Sequence, residues 1–286
     1  MRRFHFFAFA LLLPGLSIAQ TAEPVAPQTV TIPSRNLRLK AFLWRPAGNG
    51  PFPTVLFNHG SGTDAGHTAG MTMTEAAEKL APVFLKHGYA FLYLFRRGQG
   101  LSADQGLYMG DVLRREEAAK GAEASQHLQF VLLNTEHLDD VMEGLAFLKS
   151  APGIDPHRLA VVGHSFGGQL TLLASERDAA IRAAVAFDGA AHHSWARSAE
   201  VRERLLTAVR SAASPVMLVQ ASNDYSTAPS RALAHELERF HKPHVLKIYP
   251  PVGHTADDGH NAVYIAIPVW EGDVFQFLDK HVKPTI

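Results

Sequence analysis

The chain has 286 residues, 47% hydrophobic and 19% charged, which is enough apolar material for a full globular core. Lys plus Arg and Asp plus Glu each number 27, so the formal net charge is zero and the basic surplus of a nucleic-acid binder is missing. There is no Cys, which excludes disulfides and a lipid-attachment thiol, and the 16 His are scattered rather than clustered as metal ligands would be.

Met1-Arg2-Arg3, an apolar stretch over 6–13 and the small-x-small run Ser17-Ile18-Ala19 read as a signal peptide covering 1–19. The expected destination is the periplasm or the exterior. The apolar run is too short to span a bilayer comfortably, so no stable membrane insertion is expected once the signal is removed. Residues 20–28, rich in Pro and Ala, read as a short leader, and one domain is expected over 29–286.

Apolar runs then alternate with amphipathic stretches. A strand pair is expected at 29–32 and 37–44, joined by a turn at 33–36. Residues 53–58 (PTVLFN) and 89–95 (YAFLYLF) are continuous apolar runs, the pattern of strands buried on both faces. Helical spacing at 74–87 separates them and ends at Gly88. Residues 102–133 break the alternation; they are polar, rich in Ala, Glu and Gln, and read as a short helical insert over the strand ends. Beyond it come a helix at 137–149, a strand at 158–162, a helix at 166–175, a strand at 181–187 and a helix at 201–212. A strand at 215–220, a helix at 231–240, a strand at 244–249 and a helix at 273–281 complete the series. Strand–helix alternation of this length predicts a mostly parallel sheet covered by helices on both faces, with a site at the C-terminal ends of its strands.

Gly163-His164-Ser165-Phe166-Gly167-Gly168 lies between the strand at 158–162 and the helix that follows, the strand–turn–helix context of a G-x-S-x-G nucleophile elbow. The turn strains the Ser backbone and leaves no room for side chains two residues away, which is why Gly stands at 163 and 167. The helix then aims its N-terminal dipole and free N–H groups at the serine oxygen. No Lys follows the last Gly, so the string is not a phosphate loop.

A serine hydroxyl needs a base to take its proton. The expected base is His254, five residues past the strand at 244–249, and the expected acid is Asp224, just past the strand at 215–220. His260 is a rival for His254, and Asp188 is the runner-up to Asp224. The backbone N–H of Phe166 and that of Gly60 or Ser61 are the expected oxyanion donors. His59 and His164 read as packing or substrate-contact residues. Asp139 and Asp140 are assigned to a solvated helix face, Asp155 to a turn, Arg96 and Arg97 to ion pairs, and Trp195 to the pocket wall. No metal or cofactor is implied, and the pair His192-His193 is not read as a metal site.

From about Leu37 to the C-terminus the chain resembles the α/β-hydrolase superfamily, and within it the dienelactone-hydrolase-like branch. The resemblance is carried by Asn58-His59-Gly60, by Ile154-Asp155-Pro156-His157-Arg158 leading into 163–168, by Asp224 with Pro229 after it, and by 249–254. It implies an α/β-hydrolase fold with Ser165 as nucleophile, His254 as general base and then acid, and Asp224 orienting the imidazole. Dienelactone hydrolases proper carry Cys where this chain has Ser165. That departure favours a general esterase acting on a small-molecule ester. A peptidase or amidase of the prolyl-oligopeptidase-like type ranks second, although no propeller domain is read ahead of this one, and a non-catalytic binding protein on the same fold ranks third.

Overall fold

The structure is a computed structural model that describes Met1 and residues 26–283. The rest of the expected signal segment and leader residues 20–25 lie outside the described residues. Strand β1 (Gln28–Ser34) already includes the last residue assigned to the leader, and it pairs antiparallel with β2 (Leu37–Trp44) across a turn in which Arg35 takes φ 53°. Then follow β3 (Phe52–Asn58), a two-residue ribbon of β4 (His67–Thr68) and β5 (Met71–Thr72), α1 (Met73–Lys86) and β6 (Ala90–Leu94). A 3-10 turn (Gly100–Gln105), α2 (Met109–Lys120) and α3 (Ala122–Asn134) occupy the stretch read as an insert. The second half runs α4 (Glu136–Ser150), β7 (Ile154–His164), α5 (Phe166–Arg177), β8 (Ile181–Phe187), α6 (Ser194–Arg197), α7 (Ala199–Ser211) and β9 (Val216–Ala221). It closes with α8 (Ala228–Arg239), β10 (His244–Tyr249), α9 (Ala256–His260), α10 (Ala262–Ile265) and α11 (Ile267–Val282).

The main sheet has the order β1-β2-β6-β3-β7-β8-β9-β10, and every pairing from β6 to β10 is parallel. The chain leaves β3 for β6 on one side, then crosses back to β7 on the other. Ligand sites of open α/β sheets form where the winding reverses in this way. Residues of one strand alternate between two cores. Leu56 faces a core built with Leu145 of α4, Leu170 of α5 and Leu205 of α7. Val55 and Phe57 face the other, built with Leu80 of α1 and Trp270 of α11. Both faces are therefore covered, and the continuous apolar runs follow from that.

Two glycines let the strand and helix close on one another at the end of β7. A Cβ at Gly167 would fall on the carbonyl oxygens of Asn58 and His59, and one at Gly163 on the Gly167 carbonyl and the Thr171 hydroxyl. These obstacles are mainly backbone and cannot rotate away. Gly167→Ala is expected to cost about 3 kcal/mol in urea unfolding, at the upper end for an overpacked site. Gly272→Ala, on an exposed face of α11 with open space around it, is expected to be neutral or to stabilise by up to about 1 kcal/mol.

Candidate active site

Ser165 stands at the N-cap of α5 with φ 55° and ψ −116°. Its amide donates to the Phe187 carbonyl at 2.8 Å, which ties the bend to β8. Its hydroxyl is 3.0 Å from Nε2 of His260, and Nδ1 of the same ring is 2.9 Å from Oδ1 of Asp224. A carboxylate only accepts, so Nδ1 carries the hydrogen and Nε2 is left to accept from the serine O–H. The Asp224 side chain is fully buried and that of His260 is 10% exposed. Asp224 also accepts from the backbone N–H of Tyr225 at 2.6 Å and from Nε2 of Gln220.

The expected base is thus corrected. His254 is exposed, and His260, the rival six residues later, faces the serine. The reason is local. After β10 the chain swings outward through Gly253, whose φ is 61°. The Asp258 carboxylate then accepts from the amides of His254 and Thr255 at 2.9 and 3.0 Å, and the Thr255 hydroxyl accepts from the Asp258 amide. This capping box starts α9, and one turn of helix returns the chain to the site with His260 at its end. Asn223, beside Asp224, binds the carbonyls of Val252 and Thr255 and so pins the loop to the acid. The Thr255-Ala256-Asp257-Asp258 string was the sequence signal: a helix starting there moves the returning imidazole from 254 to 260.

The residues read as oxyanion candidates are grouped near Ser165. Gly60 and Ser61 lie beside Ser165, and a Cβ on Gly60 would sit 3.4 Å from the Cβ of Ser165. Among the described residues the amides of Ser61 and Phe166 donate to no other group. Arg96 sets the loop. It is fully buried, and instead of an acid it holds the His59 carbonyl at 2.6 Å and the Gly60 carbonyl at 2.9 Å. With those oxygens tied down, the loop's N–H groups are free for the serine side. Burial lowers the Arg96 guanidinium to about 10, so it remains charged at neutral pH. Gln99 adds a hydrogen bond to the Ser61 carbonyl.

The remaining assignments divide. Arg97 pairs with Asp140 at 2.6 Å, as expected, but Asp140 is fully buried and also accepts from Ser34, so it is not on a solvated face. Asp139 pairs with Arg35. Asp155 accepts from the His157 amide and pairs with Arg158 at 2.6 Å. Trp195 packs against the core rather than lining a cleft, whereas His192 and His193 line the site. Among the described residues no group of three or more His, Asp or Glu side chains is placed to hold a metal ion.

Two clefts meet at Ser165. One, of about 230 Å³, runs under the insert between Leu113, Gln126, Gln129, Gln169 and Arg197. The other, of about 440 Å³, opens between Gly62, Thr68, Tyr225 and Asp257. Tyr225 stands edge-on to His192 at 4.3 Å and donates to Asp257, which forms one lip of the opening.

Three buried histidines surround this machinery. Desolvation is the leading cause that lowers His59, His137 and His164; Arg96 adds to it for the first two and His260 for the third. His164, lowered to about 3, donates from Nε2 to the His260 carbonyl at 2.8 Å and so buttresses the imidazole's own backbone. In the unfolded chain these rings take up protons near pH 6.5, and in the folded chain only far lower. Their contribution to stability is therefore present above about pH 6.5 and is lost as pH falls toward the folded values. Between pH 7.5 and 5.5 three such groups remove about 4 kcal/mol, at about 1.4 kcal/mol each. The buried Asp188 carboxyl, held well above the usual carboxylate range by burial, works in the opposite direction, so urea unfolding at the two pH values is measured in Asp188→Asn; equal stabilities there would mean that the rings charge in place.

The profile of the dienelactone hydrolase family matches residues 69–269. Among curated proteins the chain is 28% identical over 162 residues to the quorum-quenching protein AidA of Acinetobacter baumannii, across 57% of this chain and 43% of that protein. It spans about half the length of the curated relatives it matches. Among solved structures the fold is similar to an acylaminoacyl peptidase of Pyrococcus horikoshii, with TM-score 0.67 and 17% identity over 93% of this chain and 43% of that one. It is also similar to a dienelactone hydrolase of Anabaena variabilis, with TM-score 0.62 and 17% identity over 91% of this chain and 100% of that one. The family match covers well over half of the residues, and the chain accordingly belongs to the dienelactone hydrolase family, a family of hydrolases with the α/β-hydrolase fold.

Proposed function

We propose that the chain is a serine hydrolase that cleaves a carboxylic ester through an acyl-enzyme, with Ser165 as nucleophile, His260 as general base and acid, and Asp224 as the residue that orients His260. The observation that carries this reading is the unbroken hydrogen-bonded line from the Ser165 hydroxyl through His260 to Asp224, ending on a serine in an elbow conformation.

The steps follow from the geometry. Ser165 Oγ attacks the ester carbonyl while Nε2 of His260 takes its proton. The oxygen that becomes negative is met by the Phe166 amide at the N-terminus of α5 and by an amide of the loop at Gly60 and Ser61. The imidazolium, balanced by Asp224, gives its proton to the departing alcohol. Water then enters, and its oxygen adds to the acyl carbon as it loses a proton to His260; the bond from that carbon to Ser165 Oγ breaks, the imidazolium returns the proton to Oγ, and the carboxylic acid leaves. The glutamines and arginines along the 230 Å³ cleft favour a small polar acyl or alcohol group over a long alkyl chain. Export to the periplasm or exterior remains part of the proposal on the sequence of residues 1–19.

A fluorophosphonate probe is expected to label the wild type and His254→Ala but not Ser165→Ala. On p-nitrophenyl acetate, Ser165→Ala and His260→Ala should each lose a factor on the order of 10⁴ or more in kcat, as units of one machine do. His254→Ala should stay within about threefold of wild type, since its exposed ring touches nothing in the reaction. Loss of turnover in His254→Ala with activity kept in His260→Ala would overturn the assignment. Faster cleavage of aminoacyl anilides than of esters would sink the ester reading and favour the peptidase.

A further inference from the structure

Asp188 is a buried acid that the proposed steps leave unused. It follows β8 as Ser165 follows β7, and its backbone takes φ 56°. Its amide donates to the Val219 carbonyl at 3.0 Å, which locks it against β9, the strand that Asp224 follows. The side chain is fully buried, and among the described residues neither of its oxygens has a hydrogen-bond partner. An ionised carboxylate left so would forfeit its hydration for nothing. Asp224, meanwhile, has three donors on its two oxygens: His260, Tyr225 and Gln220. A carboxylate has about four acceptor positions, so one is open.

We infer that Asp188 is a protonated carboxylic acid that donates a hydrogen bond to the Asp224 carboxylate, so that the two acids behind His260 share one proton and carry one negative charge. Burial first, and then the Asp224 charge, push the Asp188 carboxyl well above the usual carboxylate range. Two close buried carboxyls cannot both ionise. Asp188 is thus a positioning residue. It fills the last acceptor site of Asp224, fixes the carboxylate that aims His260, and keeps the acid site at a single charge to match the single imidazolium. This role rests on the proposed triad; the protonation itself does not.

The titratable groups around the pair are few. His260 faces it from α9, Tyr264 from α10, His164 from the end of β7, and His192 and Tyr225 from the lip. Burial keeps Tyr264 and His164 neutral across the working range, Tyr225 is raised to about 12, and His192 is lowered. Arg96 acts on Tyr264 rather than on Asp188.

Infrared difference spectra between wild type and Asp188→Asn at pH 8 test the proton directly. A protonated-carboxyl carbonyl band in the wild type that the variant lacks is expected, both in the active chain and on a Ser165→Ala background. Its absence overturns the inference whatever the activity. Its presence in a chain without esterase activity would sink the proposed function and leave the shared proton standing. In kinetics, Asp188→Asn keeps a neutral donor of the same shape. It should hold kcat within about threefold and leave the acid limb of kcat/KM in place. Asp188→Ala should lower kcat about tenfold with KM nearly unchanged. An acid limb displaced by about one pH unit to lower pH in Asp188→Asn would mean that the substitution removed a negative charge, and would refute the neutral acid.

Discussion

Ser165 holds φ 55° and ψ −116° because both sides of its bend are closed by backbone. Gly167 lies against the carbonyls of Asn58 and His59, and the Ser165 amide is spent on the Phe187 carbonyl. A conformation of that kind costs about 1–3 kcal/mol and persists only where the surroundings over-determine it. Here three neighbouring strands do so, since β3, β7 and β8 all end at the bend. The same contact that strains the serine also sets the distance between it and the loop carrying Gly60 and Ser61. The proposed nucleophile and oxyanion donors are therefore placed by one packing constraint rather than by two independent loops.

The polar interior is organised to avoid competing charge. Arg96 is a buried cation that spends its guanidinium on two backbone carbonyls, so it shapes the loop at Gly60 and Ser61 without drawing Asp224 away from His260. Its positive field helps keep His59 and His137 neutral. His164 is neutral because it is dry and near His260, and it gives its one N–H to the His260 carbonyl. A charged ring at any of these positions would compete with the imidazolium that the proposed steps form on His260. Keeping these rings neutral costs stability in mild acid.

The architecture was legible because its signals are long or sterically absolute. Continuous apolar runs such as 53–58 and 89–95 need two covered faces, and only a central parallel strand supplies them. Glycines two residues either side of a serine, placed between a strand and a helix, answer to a clash that no neighbour can relieve. The polar break in that alternation at 102–133 coincides with the 3-10 turn, α2 and α3. What misled were features of one or two hydrogen bonds. His254 and His260 lie six residues apart in one loop, and a five-residue helix begun by Thr255 and Asp258 decides which of them returns. Asp140 carries the charge of a surface residue and is buried only because Arg97 and Ser34 reach it from distant parts of the chain. Arg96 looked like an ion-pair partner, and only the folded chain brings it two carbonyls.

The placement of the acid follows from strand spacing. Ser165, Asp188 and Asp224 follow three adjacent strands, β7, β8 and β9, in order across the sheet. Neighbouring strands are about 4.8 Å apart, so the ends of β7 and β9 are separated by roughly 10 Å. Two hydrogen bonds of 2.9 and 3.0 Å and the width of an imidazole span most of that distance. A histidine working with an acid on β9 must therefore lie over the end of β8, and a short helix such as α9 can carry it there from β10. An acid at the end of β8 would not be in line with such a ring, and Asp188, at that position, is not hydrogen-bonded to it. Asp188 at that middle position is fully buried between the Ser165 bend, which bonds to Phe187, and β9, which its own amide reaches. Burial and the adjacent Asp224 charge both favour a group without net charge there, and a carboxyl meets that demand only with its proton on.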